Sequence, residues 1–265
     1  MDRITDKQND REWEAILDWL SIFSVDYSSQ QNNVITRRQE GTWKSLFQLY
    51  NFHLWEKNKK STLFLPGSPG AGKTMISSIV VDHLFKKFGN DPGTGIAFLY
   101  CNFWQQKEQR LIDLFFSLLK QFFQRQPLLP ECVTKLHREW AYSESFDLVS
   151  DALYQVVASF SRAFIVIDGL DECSATDGVL SRFMKELFSL QANTGCRIFA
   201  TSRPILGIPE EFQRQGSSIL KIRASEEDMQ RYLDGHIKQV SIFVREAPEI
   251  ERKIRSAITK AADGR

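Results

Sequence analysis

Thr62-Leu-Phe-Leu-Pro-Gly-Ser-Pro-Gly-Ala-Gly-Lys-Thr74 decides how the rest of the chain is read. A short apolar run leads into Gly67-Ser68-Pro69-Gly70-Ala71-Gly72-Lys73-Thr74, and a helical pattern begins at Met75. The segment fits G-x-x-x-x-G-K-[ST] in the strand-then-helix context that the pattern requires. The glycines let the backbone turn its N–H groups toward phosphate oxygens, and the following helix points its positive end at the same anion. Lys73 is the expected partner of the β- and γ-phosphates, and the Thr74 hydroxyl is an expected Mg²⁺ ligand.

Working outward, Ala163-Phe-Ile-Val-Ile-Asp168 is an apolar strand ending in a carboxylate. At the C-terminal edge of a parallel sheet, where ligands bind, that carboxylate is the expected second Mg²⁺ ligand. Asp171 and Glu172 follow, and Glu172 is preferred over Asp171 as the base for an attacking water. Ile198-Phe-Ala-Thr-Ser-Arg203 is a further apolar strand, and Arg203 at the same edge is placed to touch a γ-phosphate.

The remaining chain alternates strands and helices. Strands are expected at 96–103 and 218–223, and helices at 111–123, 131–140, 147–160 and 178–191, with two more after Ser225. This pattern predicts an α/β fold, a parallel sheet covered on both faces. Before the P-loop, Trp13, Ile16, Leu17 and Leu20 share one helical face, read as packing on the chain's own core. Residues 24–35 read as a polar linker. Thr42 is an expected N-cap for a helix through Trp43, Leu46, Tyr50 and Leu54.

Length and composition exclude several classes. The chain has 265 residues, 42% hydrophobic and 25% charged, with a net charge of +1. These values describe a globular protein and give no sign of a nucleic-acid or membrane surface. Met1–Asp10 is polar and is not a signal peptide, and no run is long and apolar enough to span a membrane. Four scattered cysteines and four scattered histidines lack metal-ligand spacing, so reduced thiols in the cytoplasm are expected.

Taken together, Gly67–Thr74, Ile165-Val-Ile-Asp-Gly-Leu-Asp-Glu-Cys173 and Ala200-Thr-Ser-Arg-Pro204 resemble a NACHT-type STAND NTPase. A close subgroup is the nephrocystin-3-like N-terminal domain of fungal ankyrin- or WD-repeat proteins. Arg37-Arg38-Gln39-Glu40-Gly41-Thr42 and Ile79-Val-Val-Asp-His-Leu84 add to the likeness.

The resemblance implies a three-layer α/β/α P-loop fold with five parallel strands, the Thr-Ser-Arg strand lying between the P-loop and Asp168 strands. It implies binding of Mg²⁺ with ATP, or GTP, and slow hydrolysis that switches self-association or a signalling partner. It makes Arg203 a γ-phosphate sensor and places Arg37–Thr42 near the base. The expected organisation is an N-terminal helix and linker over 1–35, the NTPase domain over 36–224, and the start of a helical lid over 225–265. The sequence stops at Arg265, inside the expected lid, and reads as truncated after the NTPase core. Two other readings share these motifs: a nucleotide-stabilised interaction module without turnover, and a small-molecule phosphotransferase.

Overall fold

The computed structural model describes residues 2–39, 41–102, 110–173, 178–205 and 207–221, together with isolated positions beyond 230. Five strands form one parallel sheet: β1 (Thr62–Pro66), β2 (Thr94–Tyr100), β3 (Arg162–Asp168), β4 (Arg197–Ser202) and β5 (Ser218–Ile219). Their order is β2-β3-β4-β1-β5. Leu63, Phe64 and Leu65 of β1, and Phe164 through Ile167 of β3, are all buried, so both faces of the sheet are covered. The expected strand 96–103 begins earlier, at Thr94; Phe103 lies outside the described residues. Of the expected strand 218–223, Ser218–Ile219 form β5, continued by Leu220 N–H donating to Phe64 O at 2.9 Å, and residues 222–223 lie outside the described residues. The expected helices after Ser225 lie outside the described residues, isolated positions apart.

The helices are α1 (Asp2–Phe23), α2 (Ser28–Ile35), α3 (Tyr50–Lys57), α4 (Lys73–Phe88), α5 (Leu111–Phe123), α6 (Glu131–Trp140), α7 (Phe146–Ala158), α8 (Val179–Thr194) and α9 (Ile208–Arg214). Helix α4 follows β1 directly and packs on β2, β3 and β4 through Ile76, Val80 and Leu84. Helix α5 packs on β2, α7 and α1. The apolar face of α1 lies on the chain's own core, as its periodicity predicts. Trp13 stacks on Phe123 at 4.1 Å between centroids, and Trp19 meets Phe116 and Trp140 edge-on.

Four expectations are corrected. Residues 28–35 form α2 rather than a linker. Its anchor is polar: buried Gln31 donates to Ser78 O at 3.0 Å and accepts from the Tyr100 hydroxyl, so no apolar stripe betrays the helix. Thr42 does not cap a helix; its hydroxyl donates to Gln39 O at 2.8 Å within a turn. The stretch expected as one helix is instead a 3₁₀ turn over Lys44–Gln48 and then α3, separated by Leu49 in extended conformation. Two of the cysteines are not free thiols, because the structure bonds Cys101 to Cys173. Helix α9 was not anticipated; its buried Ile208 and Phe212 leave too short a stripe to register.

Candidate functional site

The C-terminal edge of the sheet collects the groups that the sequence singled out. The P-loop runs from Gly67, whose N–H donates to Ser202 O at 3.0 Å, to Gly72, where α4 begins. Gly70 and Gly72 both have positive φ, 80° and 81°. At Gly72 a Cβ would also press on the Trp43 ring, 3.2 Å away. Ser68, Pro69, Gly70 and Ala71 form the outer turn, with Ala71 N–H donating to Ser68 O at 3.2 Å. Lys73 folds back over that turn, its ammonium donating to Gly67 O at 2.8 Å and Ser68 O at 2.9 Å.

Asp168 ends β3 under the first turn of α4 and is 4% exposed. Its Oδ1 accepts from Ser77 Oγ at 2.8 Å and from Thr201 Oγ1 at 2.7 Å. Burial pushes the carboxyl above its ordinary range, against the pull of those hydroxyls and of the Lys73 charge. Lys73 is shifted down by burial, with Asp171, Asp168 and Glu172 opposing and Arg203 assisting. The five charged groups therefore share one electrostatic environment.

The acidic turn after β3 is a 3₁₀ segment, Leu170–Glu172, entered through Gly169 at φ 66°. Asp171 turns inward, its side chain 1% exposed, and pairs with Arg203. Its Oδ1 accepts from the Arg203 backbone N–H at 2.7 Å and its Oδ2 from the guanidinium. Glu172 is half-buried, its side chain lying over Gly169. The Asp171 carboxylate raises Arg203 above its already high range and keeps the guanidinium charged.

The structure thus gathers Lys73, Thr74, Asp168, Asp171, Glu172 and Arg203 at one edge. It places the Gly41–Trp43 turn beside them, with Gly41 O accepting from Arg231 at 2.8 Å. Three contributions escaped the sequence reading. Ser77 could have been found, since it lies one helical turn from Lys73 and Thr74. Thr201 stood inside a quoted motif without a role, although its hydroxyl joins β4 to both Asp168 and the Gly169 N–H. Trp43 carried no signal, because its contact with Gly72 depends on a non-helical turn.

The site has the composition for a phosphate-bound Mg²⁺: one buried carboxylate, an adjacent threonine hydroxyl and a lysine over a loop of N–H groups. Among the described residues no cluster of three or more His, Cys, Asp or Glu could hold a metal by itself. That fits an ion carried largely by its phosphates and waters. No described helix is long and apolar enough to cross a membrane.

A family model described as "Nephrocystin 3, N-terminal" matches residues 41–203. No curated protein gives a significant match. Among solved structures, the Aeropyrum pernix ORC1 protein in complex with DNA aligns with a TM-score of 0.50 at 13% identity, over 77% of this chain and 51% of that one. Cdc6p from Pyrobaculum aerophilum gives a TM-score of 0.48 at 14% identity, over 80% and 52%. The Aeropyrum pernix ORC2 protein, in ADPNP–ADP complexes, gives 0.47 at 9%, over 78% and 52%. The chain spans about half the length of these structures, and at such identities the ORC1 likeness is one of fold.

Proposed function

We propose, from the premise that the chain belongs to the nephrocystin 3 N-terminal family of NACHT-type P-loop NTPases, that it binds and slowly hydrolyses a purine nucleoside triphosphate as a switch. The observation that carries this reading is the Asp168 carboxylate, held by hydroxyls of α4 and β4 directly beside Lys73. A buried acid supported by Ser77 and Thr201 is costly as structure alone and useful beside a bound cation.

In this reading the N–H groups of Gly67–Thr74 cradle the phosphates at the start of α4. The Lys73 ammonium exchanges two neutral carbonyl acceptors for charged phosphate oxygens, a stronger hydrogen bond. Thr74 and Asp168 would hold Mg²⁺, which when bound neutralises charge on the β- and γ-phosphates. Glu172, next to Asp171 on the acidic turn, is the carboxylate that takes a proton from the attacking water, while Asp171 holds Arg203. Arg203, steadied by Asp171, meets the γ-phosphate and conveys its presence to β4. The output is self-association or contact with a signalling partner, with the region after residue 224 serving as lid.

The test begins with purified chain, denatured to identify any released nucleotide by chromatography, followed by phosphate release with Mg-ATP and Mg-GTP. Lys73→Ala should abolish measurable affinity, because it removes the charge facing the phosphates. Unchanged affinity would overturn the site. Glu172→Gln should keep affinity and slow turnover by roughly 10²-fold or more. A wild-type rate in that variant would remove Glu172 from the base role.

A further inference from the structure

The acidic turn is fastened at three points, and one of them is covalent. At its start, Gly169 N–H donates to Thr201 Oγ1 at 3.1 Å. In its middle, Asp171 grips Arg203. At its end, the Cys173 sulfur is bonded to that of Cys101, the first residue beyond β2, with Cα atoms 5.2 Å apart. That separation is ordinary for a disulfide. Cys101 is itself tied to β3, its N–H donating to Asp168 O at 2.9 Å. The bond therefore pins the end of the turn that carries Asp171 and Glu172 to the strand beside Asp168. Cys132 and Cys196 stay free and lie on other elements.

We propose that Cys101 and Cys173 form a site of reversible thiol–disulfide modification that sets how firmly the acidic turn is held, and through it the rate of nucleotide hydrolysis. The second half of this statement rests on the hydrolytic reading above. The partner chemistry is a small disulfide such as glutathione disulfide. One cysteine thiolate attacks its S–S bond, forming a mixed disulfide and releasing one glutathione thiolate. The other cysteine thiolate then attacks the mixed disulfide at the protein sulfur, forming the Cys101–Cys173 bond and releasing the second glutathione. The pair loses two electrons and two protons, and the glutathione disulfide becomes two thiols. Reduction reverses both steps. Exchange enters at Cys101, which is 5% exposed where Cys173 is 0%.

Opening the bond leaves the Gly169–Thr201 and Asp171–Arg203 ties in place and frees only the end next to Glu172. Phosphate binding at the P-loop depends on none of these. Reduction should therefore spare affinity and lower turnover.

The experiment compares the full chain equilibrated with glutathione disulfide or with dithiothreitol. It reads Mg-ATP affinity, phosphate release and hydrogen exchange of a peptide spanning residues 168–173. Reduction should slow phosphate release by about tenfold, as expected for a displaced catalytic group, while affinity holds and exchange of the peptide accelerates. Cys101→Ser should sit at the reduced level and ignore both reagents; Cys173→Ser should take up one glutathione at Cys101 without closing the clamp and keep the reduced-level exchange; Cys132→Ser should respond as wild type does. Equal exchange and equal turnover in both states would overturn the proposal, as would a response that persists in Cys101→Ser. If no nucleotide binds in either state, the hydrolytic reading fails, and the hydrogen exchange still decides the clamp. Faster exchange on reduction supports it, and unchanged exchange sinks it.

Discussion

Asp171 and Arg203 divide one contact unequally: the carboxylate side chain is 1% exposed, whereas the arginine side chain is 40% exposed. Asp171 gives its two oxygens to the arginine's backbone and guanidinium, so its role is to aim a cation. Asp171→Asn keeps the shape and weakens the grip. It should preserve nucleotide affinity and cut phosphate release about as much as Arg203→Ala, with the double variant little worse than either single change. A larger loss than that of Glu172→Gln would move the base to Asp171. Gly67–Thr74 and Asp168 were legible in the sequence because each motif fixes its residues by spacing along one strand-to-helix turn. The Asp171–Arg203 pair was not legible, since it arises where β3 and β4 lie side by side. The cysteine bond was hidden for the same reason, its partners being 72 residues apart.

At the scale of elements, polar anchors set what could be read. Helix α2 hangs on Gln31, which belongs to no hydrophobic stripe, whereas α3 buries Phe52 and Trp55 and adds the polar anchor Glu56. Glu56 reaches across to α4, meeting His83 at 2.9 Å and Lys87 at 2.6 Å. Burial alone would raise its carboxyl, but the hydrogen bonds and charges of His83 and Lys87 prevail, and it falls from 4.5 to about 2. A depressed carboxyl stabilises the fold fully above its unfolded value and loses that contribution as pH falls through its folded one. The stabilisation from Glu56 is therefore intact above pH 4.5 and lost toward pH 2. In urea unfolding, wild type should be more stable than Glu56→Gln near neutrality, and the gap should close across that window. A gap that stays constant would show that the ion pairs contribute nothing. The long apolar elements, α5 and β3 above all, were legible from composition alone, because burial on most sides leaves few polar residues to confuse the pattern.

For the whole molecule, α1 belongs to the wall formed by α5 and α6, on the β2 side of the sheet. Trp19 touches Phe23, Phe116, His137 and Trp140 there. Trp19→Ala should lower the stability of the entire domain by about 3 kcal/mol, measured as one cooperative transition. An early, separate transition would instead mark α1 as an independent unit. The presence of a parallel sheet was readable from alternating strands and helices, but its strand order came from family likeness, since periodicity says nothing about which strands are neighbours.

Strand β2 ends the sheet, and α5 occupies its outer rim. Gln121 spans Phe98, accepting from its N–H at 3.0 Å and donating to its carbonyl at 2.8 Å, while Arg125 Nε donates to Thr94 O at 2.9 Å. Two side chains thus mimic the next strand of a sheet that goes no further. For a protein proposed to gather copies of itself when it fires, this separates assembly from aggregation. At Phe98 and Thr94 an incoming strand would find backbone groups already engaged by side chains, which disfavours edge-to-edge pairing at these positions.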